Sequence, residues 1–193
     1  SILKVNTSRT VGYANGAVWI DTTSGTAGTS DFVNGVADNA VDSLADALTI
    51  ATSLGLHKFT VANGSTITLA ATTTNKVFEG NEWTLALGGQ NIASSTFIDA
   101  SVSGVSTGSE AEFTNCQHGA VTIAPSEHYG CTLLNTFTAA AAGDYLFMDC
   151  ASQVAGTGAP IFDFAAIGAT TVSFRRWSGG LTANNMAAGD VIS

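Results

Sequence analysis

From Lys58 onward, apolar and polar positions alternate in short runs separated by corners of Gly, Asn, Asp, Ser and Thr. A two-residue period belongs to half-buried strands. The segments FTVANGSTITLA, KVFEGNEWTLALGG, TFIDASVSGVS, EFTNCQHGAVTIA, HYGCTLLNTFTAA and LFMDCASQ each join an aromatic-led strand to a small-residue corner, often followed by a second strand. Aligned, they read Phe78-x-Gly80-Asn81, Phe97-x-Asp99-Ala100, Phe113-x-Asn115-Cys116, Tyr129-Gly130-Cys131 with one residue fewer, and Phe147-x-Asp149-Cys150. The leading aromatics recur about every 16 to 19 residues, and repetition with variable loops marks stacked coils. Each aromatic is expected to fill its coil and stack on the next, since equivalent strands lie about 4.8 Å apart. The third position holds residues that tolerate a left-handed backbone, and the small residue after it is expected to point inward. An antiparallel sandwich with regular strand spacing is the alternative, but two-residue hairpin signals are scarce after Gly64.

Residues 1–16 read as an N-terminal arm and 17–193 as a single domain. Ala17 to Asp21 form a first strand with Val18 and Ile20 on one face and Trp19 on the other, followed by a long loop rich in Gly, Ser, Thr, Asn and Asp. A helix over about 43–54 is signalled at both ends. Ser43 can cap it with Asp46 in the first turn, and Gly55 supplies the left-handed stop with Leu56 behind it. Leu44, Ala47, Leu48, Ala51 and Leu54 make one apolar stripe, expected to face a first coil built around Val18 and Phe59. Beyond Ser152, Ile161, Phe162 and Phe164 form a longer loop-and-strand unit, and Phe174 with Trp177 leads another coil. The segment NNMAAGDVIS has no polar cap, so its coil edge is expected to meet further chain or another subunit. The expected fold is all-β: a right-handed parallel β-helix, or solenoid, with a short N-terminal capping α-helix.

Composition narrows the partners. Only 11% of the 193 residues are charged while 45% are hydrophobic, so Thr, Ser, Asn, Gly and Ala must cover much of the surface. The six basic residues, Lys4, Arg9, Lys58, Lys76, Arg175 and Arg176, face fifteen acids. That balance supplies no phosphate-tracking groove and predicts no nucleic-acid partner. The start SILKVNTSRT lacks the apolar core of a signal peptide, and no stretch approaches the roughly 20 apolar residues of a membrane span, so no membrane insertion is expected.

Candidate chemistry is sparse. Paired carboxylates serve solenoid enzymes that cut polysaccharides, and Asp99 with Glu110 and Glu112, or Asp144, Asp149 and Asp163, are the candidates. Asp99 and Asp149 fall at corners, where an Asx turn accounts for them. Arg175 and Arg176 point to opposite faces of a strand, so only one can join a given cluster. His57, His118 and His128 lack any nucleophile context and are expected on the surface; the latter two, on neighbouring coils, have no third ligand for a metal. Cys116, Cys131 and Cys150 lack paired C-x-x-C spacing and are expected as free, buried thiols at equivalent corners. No catalytic, cofactor-binding or metal-ligating residue is assigned.

The run GAVWIDTTSGTAGT with NGVADNAVDSLADALTIATSLGL, then NGSTITL and the aromatic-led coils, resembles the β-helical virion proteins of tailed bacteriophages, including tail-fibre, tailspike-like and other appendage domains. More distantly, the loop-then-helix opening resembles the capped start of pectate-lyase-like solenoids. The likeness runs from about Ala17 to Gly180 and is one of architecture, without a diagnostic short motif. It implies a virion structural protein on tail or head, assembled in the host cytoplasm. Its implied partners are other virion proteins, two further copies in a homotrimer, and a host-surface glycan. It carries over no catalytic residue; the alternative function is a tailspike-type polysaccharide depolymerase.

Overall fold

The computed structural model describes residues 12–152 and 159–193, so most of the 1–16 arm, with Lys4 and Arg9, lies outside the described residues. The chain forms a parallel β-solenoid of about seven turns. Within each turn the chain passes through up to three strand positions, and each strand pairs in parallel with its equivalent in the next turn. One row runs from Ala17–Ile20 through Lys58–Val61 to the first half of Val77–Ala86. It continues through Thr96–Thr107, Ala111–Thr114, Ser126–Tyr129, Gly143–Met148 and Thr170–Arg175. Parallel pairing between Val77 and Cys150 removes the antiparallel sandwich.

In this row the inward position is Val18, then Phe59, Phe78, Phe97, Phe113, His128, Phe147 and Phe174 in register. The Phe59, Phe78, Phe97 and Phe113 rings stack with centroids 4.7, 5.5 and 5.3 Å apart. Tyr129, expected to lead its coil, does not enter the stack. His128 does, lying parallel between Phe113 at 5.1 Å and Phe147 at 4.4 Å. An imidazole is a flat ring of suitable size, so His128-Tyr129-Gly130-Cys131 is a full-length repeat and Tyr129 falls on the outer face, where its hydroxyl donates to Glu127 Oε2 at 2.6 Å.

The corner after this row is left-handed: φ is 58° at Asp99, 53° at Asn115, 62° at Gly130 and 57° at Asp149. Asp and Asn tolerate this region better than other side-chain-bearing residues. The Phe78 coil departs from the alignment. It carries extra residues at the bulge between Glu79 and Trp83, so the left-handed corner is Glu82 rather than Gly80, and Trp83 rather than Asn81 turns inward opposite Ala100. The buried indole donates from Nε1 to the Ile98 carbonyl at 2.9 Å, which satisfies its one polar atom. A second inward ladder, in the strand after the corner, runs Ile67, Leu85, Val102, His118, Leu133.

The helix α1 spans Leu44–Leu54 between the predicted signals. Ser43 Oγ accepts from the Asp46 N–H at 3.2 Å, Asp46 Oδ2 accepts from the Gly28 N–H at 2.8 Å, and Gly55 sits at φ 67°. Ala47, Ile50 and Ala51 are buried in the cluster that holds Val18, Ile20 and Phe59. The predicted stripe omitted Ile50, the largest fully buried side chain of the helix, and overrated Leu48, which is only partly buried.

Phe113 has no exposed surface and is stacked on both sides, so Phe113→Ala is expected to lower unfolding free energy by about 3–5 kcal/mol through lost burial and a residual cavity. Urea titration followed by circular dichroism measures it. Ile50→Asp, which places an unpaired carboxylate in the buried cluster that holds Val18, Ile20 and Phe59, is expected to prevent recovery of soluble folded chain.

Candidate functional site

Three groups capable of acid–base or ligand chemistry converge inside the solenoid at the level where both inward ladders switch from hydrocarbon to imidazole. His128 replaces a phenylalanine in the first ladder and His118 an aliphatic side chain in the second; both have 0% exposure. The expected surface position is therefore corrected for these two, whereas His57 is exposed. His118 meets His128 edge-on at 4.8 Å, and Phe137 closes the space at 5.9 and 5.1 Å from the two rings.

A hydrogen-bonded line crosses this layer. Ser126 Oγ lies 2.9 Å from His128 Nε2, and His128 Nδ1 lies 3.0 Å from His118 Nε2. His118 Nδ1 is buried with no partner. Because an orphaned buried N–H is the costlier arrangement, the favoured tautomers have His118 Nε2–H donating to His128 Nδ1 and His128 Nε2–H donating to Ser126 Oγ. His118 Nδ1 then keeps a bare lone pair. Burial pushes the His118 pKa from 6.5 down to about 3, and burial followed by the neighbouring His118 holds His128 well below its ordinary value.

Beside the imidazoles runs the third ladder, Trp83, Ala100, Cys116, Cys131, Cys150 and Trp177, set by the registers of the adjoining strands. All three cysteines are free and buried, at the equivalent inward corners the repeat predicts. Cys131 Sγ donates to the Phe113 carbonyl at 3.2 Å, and the Cys131 N–H donates to Cys150 Sγ at 3.3 Å. Hydrogen bonding with the thiols above and below, then burial, pushes the Cys131 thiol up, so it is protonated. One ligand atom each from His118, His128 and Cys131 lie within 4.8 Å of one another. Sequence reasoning missed this third donor because the tyrosine-led alignment hid the shared level of His128 and Cys131.

Outside, the candidate carboxylates are dispersed. Asp99 shares a cleft of about 270 Å³ with Glu82, Asn115 and Gln117. An adjoining cleft of about 430 Å³ sets partly buried Trp19 beside Asn63, Asn81 and Asp99. Glu110 instead lines a separate cleft of about 630 Å³ with Glu127 and Asp144. Glu112 lies on the outer face, paired in register with Glu127. Asp149 forms an ion pair with Arg176, which holds its carboxyl below the usual range. Both partners are well exposed, so the pair contributes little stability. Asp163 Oδ1 accepts from the Ala165 N–H at 2.8 Å, an Asx turn, and from Asn185 Nδ2 at 2.9 Å.

In the folded chain both buried imidazoles stay neutral while the unfolded chain takes up protons below about pH 6.5. Their contribution is therefore fully present above pH 6.5 and is lost as pH falls toward the folded His118 value of about 3. The expected slope is about 1.4 kcal/mol per pH unit for each histidine. Urea midpoints measured from pH 7 to pH 4 in chelator test this, and His128→Phe is expected to remove one histidine's share of the slope while preserving the stack.

No family model, curated protein or solved structure matches the chain.

Proposed function

We propose that the chain is a structural and host-recognition module of a tailed-phage virion, in which a right-handed β-helix capped at its first coil by α1 presents a rigid outer face to host-surface glycan. The observation that carries this reading is the pair of adjoining clefts in which Trp19, Asn63, Asn81, Asp99, Asn115 and Gln117 are held on consecutive coils. An indole surface, side-chain amides and a carboxylate are the groups that recognise sugar rings and their hydroxyls. Stacked coils fix their spacing, so little ordering entropy is lost on binding. Among the described residues no helix is long and apolar enough to cross a membrane.

A homotrimer accompanies this reading. Val105, Thr122 and Thr138 align in register on the outer face of the row in which Gly104–Val105, Val121–Ile123 and Phe137–Ala139 pair, beside Ala120. Such a face of small and β-branched side chains, shallowly concave, permits close approach of another copy. The second reading, a depolymerase, draws on Glu82 and Asp99 sharing one cleft, the arrangement in which two carboxylates can flank a glycosidic bond.

Antibody to the chain is expected to label tail or head appendages in electron micrographs of virions, and light scattering is expected to return about three chain masses. A monomer at all concentrations removes the trimer. Glycan-array binding is expected to fall at least tenfold in Trp19→Ala, with no new reducing ends released from capsular or lipopolysaccharide glycan. Release that disappears in a Glu82→Gln, Asp99→Asn double variant establishes the depolymerase instead.

A further inference from the structure

Two imidazoles in one dry layer need a reason. Phenylalanine fills the His128 position in the coils immediately before and after, and leucine or valine fills the His118 position on either side. Those hydrocarbons stack equally well without taking ring nitrogens out of water, a transfer that costs unless every polar atom is paired. Here one is not: His118 Nδ1 has no partner. A thiol stands at the same level, and one ligand atom from each of the three residues falls within 4.8 Å of the other two. All three residues are at most 1% exposed.

From this constellation we propose that His118, His128 and Cys131 form a buried site for a thiophilic monovalent cation, Cu(I), that the chain takes up as it folds. Donor type, number and charge point to this ion. A thiolate with two imidazoles is a soft-to-borderline set that selects copper or zinc over magnesium, calcium or manganese. Structural zinc takes four ligands, whereas Cu(I) is satisfied by three. Charge separates them further: one thiolate neutralises Cu(I), while Zn(II) leaves a net positive charge in a layer whose remaining near neighbours are Ser126, Phe113, Phe137, Phe147 and the thiols of Cys116 and Cys150.

Coordination through His128 Nδ1 and His118 Nε2 moves the hydrogen between them to His118 Nδ1 and removes the Cys131 thiol proton, and the metal–ligand bonds formed offset the cost of leaving that one N–H unpaired. Each imidazole remains neutral with its hydrogen on the other nitrogen, so one proton per ion passes to solvent and no electron is transferred. His128 Nε2–H then donates to Ser126 Oγ, the outer hydrogen bond that orients metal-bound histidines. The Phe113 and Phe147 rings on the two faces of His128 hold it in plane.

The test is anaerobic refolding of the full chain with one equivalent of Cu(I) supplied as its acetonitrile complex, followed by passage through a Cu(I) chelator. About one copper per chain is expected to survive, the thermal midpoint is expected to rise, and X-ray absorption is expected to show one sulfur and two nitrogen scatterers. His128→Phe and Cys131→Ala are expected to fold with unchanged circular dichroism and to retain copper at least tenfold less well. Ser126→Ala is expected to weaken retention by about 10–100-fold. Complete stripping of copper from the wild type overturns the proposal, as does equal retention by His128→Phe. An all-sulfur shell overturns it too, since that assigns binding to the cysteine ladder alone; this measurement on the wild type decides the matter even where a variant fails to fold.

Discussion

In-register parallel pairing is the constraint on which the rest of this molecule depends. Each coil repeats the backbone of the one before it at about 4.8 Å, so an inward side chain faces its counterparts above and below. Planar rings suit this spacing because they stack at the same distance, and the line from Phe59 to Phe174 uses it in every coil. The backbone hydrogen bonds and the ring stack therefore reinforce a single register. A slip by one residue turns the entire inward set outward.

Much of this was legible in the sequence because the repeat has a physical reason at several positions at once. Aromatic lead, left-handed corner and small inward residue together fixed the coils from Phe97 to Phe113 and at Phe147. The misreadings share one cause, which is that residue class stood in for position. Tyr129 outranked its neighbour as an aromatic, yet ring planarity and register admit His128, while the phenol donates to Glu127 outside. Asn81 looked like the small inward residue, yet the bulge hands that place to Trp83, whose N–H reaches the Ile98 carbonyl. In the helix, Ile50 was left out of a stripe drawn through leucines and alanines, although it is fully buried.

The same substitution of class for position hid the interior site. Read singly, His118 and His128 are ten residues apart with no ligand motif, and Cys131 belongs to an odd set of cysteines. Only the register places them on one level, with the serine hydroxyl, two imidazoles and a thiol in adjoining ladders. The surface clefts were equally illegible. Asp99 was grouped with Glu110 and Glu112 by proximity along the chain, but the solenoid sends Asp99 and Glu110 to separate clefts and joins Asp99 to Glu82.

The bulge at Gly80, Asn81 and Glu82 shows how inside and outside are uncoupled. Extra residues enter one coil, yet Phe78 still faces Phe97 and Leu85 still faces Val102. The insertion is absorbed at the corner and emerges as part of a cleft wall. A corner of this fold can accordingly lengthen without shifting the inward ladders on either side of it. Change in length is then channelled to the outer corners, and away from the ladders that hold the coils in register.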